Sequence, residues 1–213
     1  MKRRICILLV LAMMGNMLVF ATGSDSIEAL SSYGFVEGDP DGSIRQEDKI
    51  TRAEYAKLIY KINFGDMVPY GAGNSFFADL DEDHWAKGYI DVLKMSDLLE
   101  GDENGNFLPE ENIIYADAIK MLIKTLGYEP VADAMGGYPD GYIMAASRYG
   151  IAENRAVTNE EVSRGEAFDM IYKALDIPLM DQTVFGEDAE YVIYDGKNDM
   201  PLVTIRTRNM IGE

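Results

Sequence analysis

The opening of Ile50–Ile62, ITRAEYAKLIYKI, recurs twice more in the chain, and that recurrence limits the fold more than any bulk property. Thr51 and Glu54 have the S/T-x-x-E spacing of a capping box, in which the hydroxyl accepts from the third helical amide and the carboxylate reaches back to the cap amide. Tyr55, Leu58, Ile59 and Ile62 follow at helical spacing, which predicts an amphipathic helix. Ser163-Arg164-Gly165-Glu166 repeats the pattern ahead of Phe168, Ile171, Tyr172 and Leu175. Ile114-Tyr115-Ala116-Asp117 is a degenerate copy ahead of Ile119, Leu122, Ile123 and Leu126.

Placing Glu54, Asp117 and Glu166 in register aligns the upstream text too. Gly38-Asp39 and Gly101-Asp102 each begin sixteen residues before their acid, and Gly42 and Gly105 lie twelve before it. Gly150–Glu153 stands opposite Gly34–Glu37, but the third copy runs four residues shorter to its cap. A shared register at a period of roughly 50–60 residues predicts repeated helical units and not one enzyme fold.

Met1-Lys2-Arg3-Arg4 opens an apolar run from Ile5 to Phe20 that ends in small residues, the pattern of an export signal over 1–23. Cys6 stands at the start of that run, where a lipidated cysteine would not be. Loss of residues 1–23 takes the net charge from −18 to about −21 and leaves no cysteine, so the exported part depends on core packing. No later run is long enough to span a bilayer. The acidity argues against nucleic acid as a partner, and any anion must be held by local cations.

Asp39–Gly42 and Asp102–Gly105 are acidic turns, but their glycine is fourth where a calcium loop of the EF-hand type needs it sixth. His84 has no partner at zinc-ligand spacing, and no nucleophile motif or phosphate loop appears. No catalytic residue, metal or cofactor is expected. Asp83 reads as an N-cap, Asn112 as the substitute cap in the second copy, and Trp85, Tyr89, Val92 and Leu93 as one apolar face. Thr158–Glu161 also has capping-box spacing without a long helix behind it. In the tail, Tyr191–Tyr194, Asp195-Gly196 and Leu202–Thr207 predict a hairpin or two edge strands about the Asp-Gly turn.

Phe77-Ala78-Asp79, His84-Trp85-Ala86, Gly101-Asp102, Gly105-Asn106-Phe107 and Pro109, with Ile50–Glu54, resemble the S-layer homology motif. The resemblance covers about residues 27–177 as three motifs, the second and third divergent. It implies a mainly α fold: three helix–loop–helix repeats (24–66, 67–132 and 133–180) in a pseudo-threefold bundle, with a β-rich tail over 181–213 that packs on the helices or opens a further domain. It also implies non-covalent anchoring of an exported protein to anionic, often pyruvylated, secondary cell-wall polysaccharide, at the cell surface of a Gram-positive-type bacterium. Other surface-layer proteins are the second class of partner. An assembly scaffold without glycan binding, and the first module of a larger wall-acting enzyme, are the alternatives.

By that resemblance the glycan-binding set is Arg52, Arg164, Thr51, Glu54, Ser163, Glu166, Trp85 and Tyr115. From the residues alone, a helix N-terminus favours anions and an arginine at its first position adds a planar fork. Pairing of Arg52 and Arg164 with nearby acids is an equal reading of the same residues. The resemblance favours binding. Tyr115 replaces the arginine in the second copy, where packing is the plainer role, and Trp85 is either a sugar platform or core.

Overall fold

The computed structural model describes residues 23–38, 41–70, 73, 75–184, 189–197 and 200–209. The expected export signal therefore lies outside the described residues, apart from Gly23. The chain is mainly helical: α1 (Gly23–Ser32), α2 (Arg52–Phe64), α3 (Lys87–Met95), α4 (Tyr115–Leu126), α5 (Glu129–Ala134), α6 (Asp140–Arg148), α7 (Arg164–Ala174) and α8 (Ile205–Arg208). A two-stranded sheet, β1 (Met180–Val184) and β2 (Glu190–Ile193), precedes α8. Among the described residues no helix is long and apolar enough to cross a membrane.

The packing is cyclic. α3 lies on α2, α6 on α4, and α1, from the start of the chain, on α7 near its end. The helices that carry the recurring motif are tied at their mouths by a closed set of backbone bonds. Ile50 N donates to Val162 O, Val162 N to Ile113 O, and Ile113 N back to Ile50 O, at 3.0–3.1 Å. All three residues are buried, so each of these polar groups needs a partner, and the ring supplies it. Deeper in, the Tyr55 hydroxyl of α2 donates to Ala118 O of α4 at 3.0 Å, and burial pushes its pKa far above the ordinary range.

The capping chemistry at α2 is as the spacing predicts. Thr51 Oγ1 accepts from Glu54 N and Glu54 Oε2 accepts from Thr51 N. Ser163 Oγ accepts from Glu166 N at α7. α4 departs: its cap position is Ile114 and no side chain caps it, so Asn112 does not substitute. Asn112 instead forms a bridge with Thr51, its backbone committed to the ring of helix mouths. Asp83 is not a cap either. α3 starts at Lys87, behind a turn in which His84 Nδ1 accepts from Ala86 N. Trp85 consequently precedes the helix and is 53% exposed, while Ile90 and Leu93 carry the buried face.

The tail also differs from its reading. The strands pair Met180–Val184 with Glu190–Ile193, antiparallel, with a register irregularity between Gln182 and Val184. Asp195 and Leu202 make only an isolated bridge. Thr204–Thr207, read as a strand from its β-branched residues, opens α8 with a reciprocal Thr204/Thr207 cap. The tail is docked on the helices. Leu179 and Met180 are buried, Tyr128 Oη donates to Pro178 O, and Arg206 pairs with Asp176 while its guanidinium sits over Tyr33.

Candidate functional site

Three grooves open at the mouths of α2, α4 and α7, and the same parts recur in them. In the first, Arg52 is the opening residue of α2. Its Nη1 pairs with Asp117 Oδ2, third in α4, at 2.6 Å; its Nε donates to Phe107 O at 2.8 Å; and its guanidinium lies 4.8 Å from the Phe107 ring centre. In the second, Arg164 opens α7. Its Nη1 pairs with Glu54 Oε1, third in α2, at 2.8 Å; Nε donates to Ile44 O at 3.0 Å; and the Phe168 ring lies beneath. Glu54 thus joins two jobs, one oxygen closing its own cap and the other holding the neighbouring arginine.

Both arginines are engaged by internal acids, as one of the two readings had it, and both line a groove, as the other had it. Arg52 uses three of its five N–H donors if the 3.4 Å contact of Nη2 with Glu100 O is counted. Arg164 uses two, and among the described residues its Nη2 has no protein acceptor.

The helix N-termini themselves are closed, which corrects the expectation of open amides. Arg52 N and Ala53 N donate to Glu111 O and Pro109 O; Tyr115 N and Ala116 N to Glu160 O and Thr158 O; Arg164 N and Gly165 N to Asp48 O and Gln46 O. Loop carbonyls from the neighbouring segment fill the places an anion would take. Thr158–Glu161 matches a capping pattern in sequence, yet its backbone serves this role. Any anion must be met by side chains.

Two lysines that the sequence reading passed over complete the picture. Lys120 stands three residues after Asp117 and Lys57 three after Glu54, one helical turn along the same face. Each lines its groove. Lys120 is bound to Glu100 Oε2 at 2.6 Å and lies 5.1 Å from the Tyr138 ring centre. Lys57 has no carboxylate partner among the described residues. Lys124, at the floor of the first groove, meets Asp97, Glu100 and Glu129, each at 3.2 Å. The signal for both lysines was present in the register that aligns Glu54 with Asp117.

The first and second grooves each present an exposed aromatic. Trp85 edges the second, stacked on His84 at 5.8 Å between ring centres. Tyr138 edges the first, 46% exposed, its hydroxyl donating to Asp117 Oδ1 at 2.7 Å. Burial and the Asp117 charge raise the Tyr138 pKa well above its ordinary value, so it stays a neutral donor. Trp85 and Tyr138 occupy matching places, WAKGYI against YPDGYI. Tyr115, by contrast, is buried; its hydroxyl donates to Glu153 O at 2.6 Å and Arg155 covers its ring. Each of the two grooves encloses about 270 Å³, just under the roughly 300–1,000 Å³ typical of enclosed small-molecule pockets. That suits an end group or a single sugar unit.

Two carboxylates outside the clasps shape the first groove. Asp79 accepts from Phe107 N and Leu108 N at 2.8 and 2.7 Å and so fixes the loop whose carbonyl receives Arg52. Glu100 lies below its ordinary pKa because Lys120 and Lys124 bond its charged form. A carboxyl depressed in the folded state contributes stability above its unfolded value, 4.5, and loses it as pH falls through the lower folded value. Glu100→Gln is therefore expected to flatten the fall in melting temperature below about pH 4.5. Thermal scans from pH 7 to 3 check this, and an unchanged acid limb would contradict it.

With the geometry in place, comparison with known proteins says what the chain is similar to. The S-layer homology domain pattern matches residues 21–56 and 76–119. Two segments of the chain are S-layer homology sequence. The chain is 29% identical over 169 residues to the middle cell wall protein of Brevibacillus brevis, covering 79% of this chain and 16% of that protein. It is 28% identical over 171 residues to the surface layer protein of Brevibacillus choshinensis, covering 80% and 15%. A cellulosome-anchoring protein of Acetivibrio thermocellus is 26% identical, over 54% of this chain and 26% of its own length. The chain thus spans about a sixth of the length of the Brevibacillus proteins it matches.

Proposed function

We propose that this chain is a cell-wall anchoring module whose first and second grooves hold an anionic substituent of a secondary cell-wall polysaccharide, a pyruvyl ketal being the chemistry that fits best. The observation that carries the reading is the second groove. Arg45, Lys57 and Arg164 line it against Glu37 and Glu54, leaving a net positive lining in a chain of net charge −18. Lys57 and the open edge of Arg164 can receive a carboxylate, and the exposed Trp85 can lie against a sugar face. The first groove has the same parts, with Arg52, Lys120 and Tyr138, but its lysine is shared with Glu100.

Thr51, Ser163, Glu54 and Glu166 act behind the contact surface in this reading. Thr51 and Ser163 cap their helices, Glu54 closes the α2 box and orients Arg164, and Glu166 pairs with Arg155. The three helix mouths are read as related by a pseudo-threefold axis, supported by the cyclic bonds among Ile50, Val162 and Ile113. Three repeats, with boundaries near 66, 132 and 180, fit that reading. Placement at the cell surface accords with the S-layer and cell-wall relatives.

The module acts by binding, without catalysis of its own. A second reading has one observation behind it. An uncharacterized cell wall amidase of Bacillus anthracis is also a relative, so the same module can tether a catalytic segment.

Retention on purified sacculi tests the proposal. Sacculi that carry the acidic ketals should retain the chain, and mild acid treatment that removes the ketals should release it. Equal retention on both materials would contradict the role of the anion.

A further inference from the structure

The third groove lacks an arginine where the other two have one. Arg52 and Arg164 open their helices; the residue that opens α4 is Tyr115. Each of those arginines clasps the third residue of the next motif helix: Arg52 takes Asp117, and Arg164 takes Glu54. By that pattern Glu166, third in α7, should be left without a cation. It is not. Arg155, from the shortened loop after Gly150, reaches across the Tyr115 ring at 4.3 Å and pairs through Nη2 with Glu166 Oε1.

We infer that Arg155 is a transplanted clasp: it replaces the missing helix-opening arginine structurally and fills the third groove from within, so that this groove takes no anion. The surroundings support closure. Glu160 and Glu153 approach the same guanidinium at 3.8 and 4.0 Å, so three carboxylates surround one arginine. Three residues after Glu166, where the other grooves have Lys120 and Lys57, stands Asp169. Arg155 and Lys173 thus face Glu153, Glu166 and Asp169 in the lining, a negative balance where the second groove is positive. Among the described residues, the aromatic in this lining is the buried Tyr115. The Arg155 side chain is more exposed, 31%, than those of Arg52 and Arg164, at 15% and 14%. Exposure alone therefore does not make it a receptor; its charge is already committed. The inference deepens the anchoring proposal by fixing which grooves bind, and it rests on that proposal only for the binding arm of its test.

Two readouts separate the parts. Arg155→Met keeps the apolar stem over Tyr115 and removes the fork. It should lower the melting temperature by about 3–6 °C, the shift expected of one lost clasp in a chain of this size. Moving the guanidinium back, in the pair Tyr115→Arg with Arg155→Met, should recover at least half of that loss. Calorimetric titration with a 4,6-O-pyruvylated methyl hexoside should give two equivalents for the wild type and two for Arg155→Met. An Arg155→Met chain that melts like wild type, or a paired variant less stable than the single one, would overturn the clasp. Three equivalents in the wild type, or the loss of one in Arg155→Met, would overturn the closed groove. No binding by the wild type would overturn the anion reading of the module, while the melting arm would still decide the clasp.

Discussion

Replacing Arg52 and Arg164 together by methionine should abolish retention on ketal-bearing sacculi while the chain stays folded. Each guanidinium donates to a loop carbonyl and an acid and still has N–H groups to offer to its groove. A charge-assisted fork to a carboxylate is worth about 1.5–3 kcal/mol, so loss of one weakens a groove by roughly ten- to a hundredfold. When two linked grooves hold one polymer the losses compound. The substitution also frees Asp117 and Glu54 from their partners, which lowers stability. The companion variant Lys57→Met with Lys120→Met controls for that, because both arginine clasps survive in it. It should weaken retention strongly with a smaller change in melting temperature. Full retention by the arginine double variant, measured by pull-down beside a thermal scan, would remove the arginines from the mechanism.

The second large effect is structural. Gly127 ends α4 at φ +82, and a Cβ there would stand 1.8 Å from Met180 O, the first residue of β1. A left-handed backbone alone costs an L-residue about 1–2 kcal/mol. The collision adds to this because the obstacle is backbone and cannot rotate away. Gly105→Ala is the matched control: φ +80, with nothing within 4 Å of its Cβ. Gly127→Ala should cost at least about 3 kcal/mol, or roughly 6–12 °C in melting temperature, against about a third of that for Gly105→Ala. If the tail were not seated on the helices, the two substitutions would cost the same. Differential scanning calorimetry distinguishes the outcomes.

What the sequence disclosed follows the range of each interaction. The cap of α2 was legible because Thr51 and Glu54 are three residues apart and their chemistry is local. The Ser163 cap on the Glu166 amide was legible for the same reason, but the Glu166 carboxylate gives no reciprocal bond and goes to Arg155 instead. The partner of Arg52 lies 65 residues away and that of Arg164 110 away, so no window of sequence contains either clasp. Only the fold brings them together. Lys57 and Lys120 were within reach of the register argument, being at one offset from aligned acids, but the sequence reading stopped at the cap. Arg155 was not, because a loop residue replaces a helix residue and keeps no register. In the tail, β-branched composition predicted a strand where Thr204 and Thr207 in fact cap a short helix. At the helix mouths the open-amide expectation failed because neighbouring loop carbonyls, invisible in sequence, supply the bonds.

In the proposed binding mode an anionic sugar substituent is held by Arg164 with Lys57, and by Arg52 with Lys120. Its most direct test is a crystal structure of the chain soaked with the 4,6-O-pyruvylated methyl hexoside. The ketal carboxylate is expected within hydrogen-bond distance of those arginine–lysine pairs, with the sugar ring against Trp85 or Tyr138 and the Arg155 groove empty. A carboxylate seated on Arg155, or absent from both arginine–lysine grooves at saturating ligand, would contradict it.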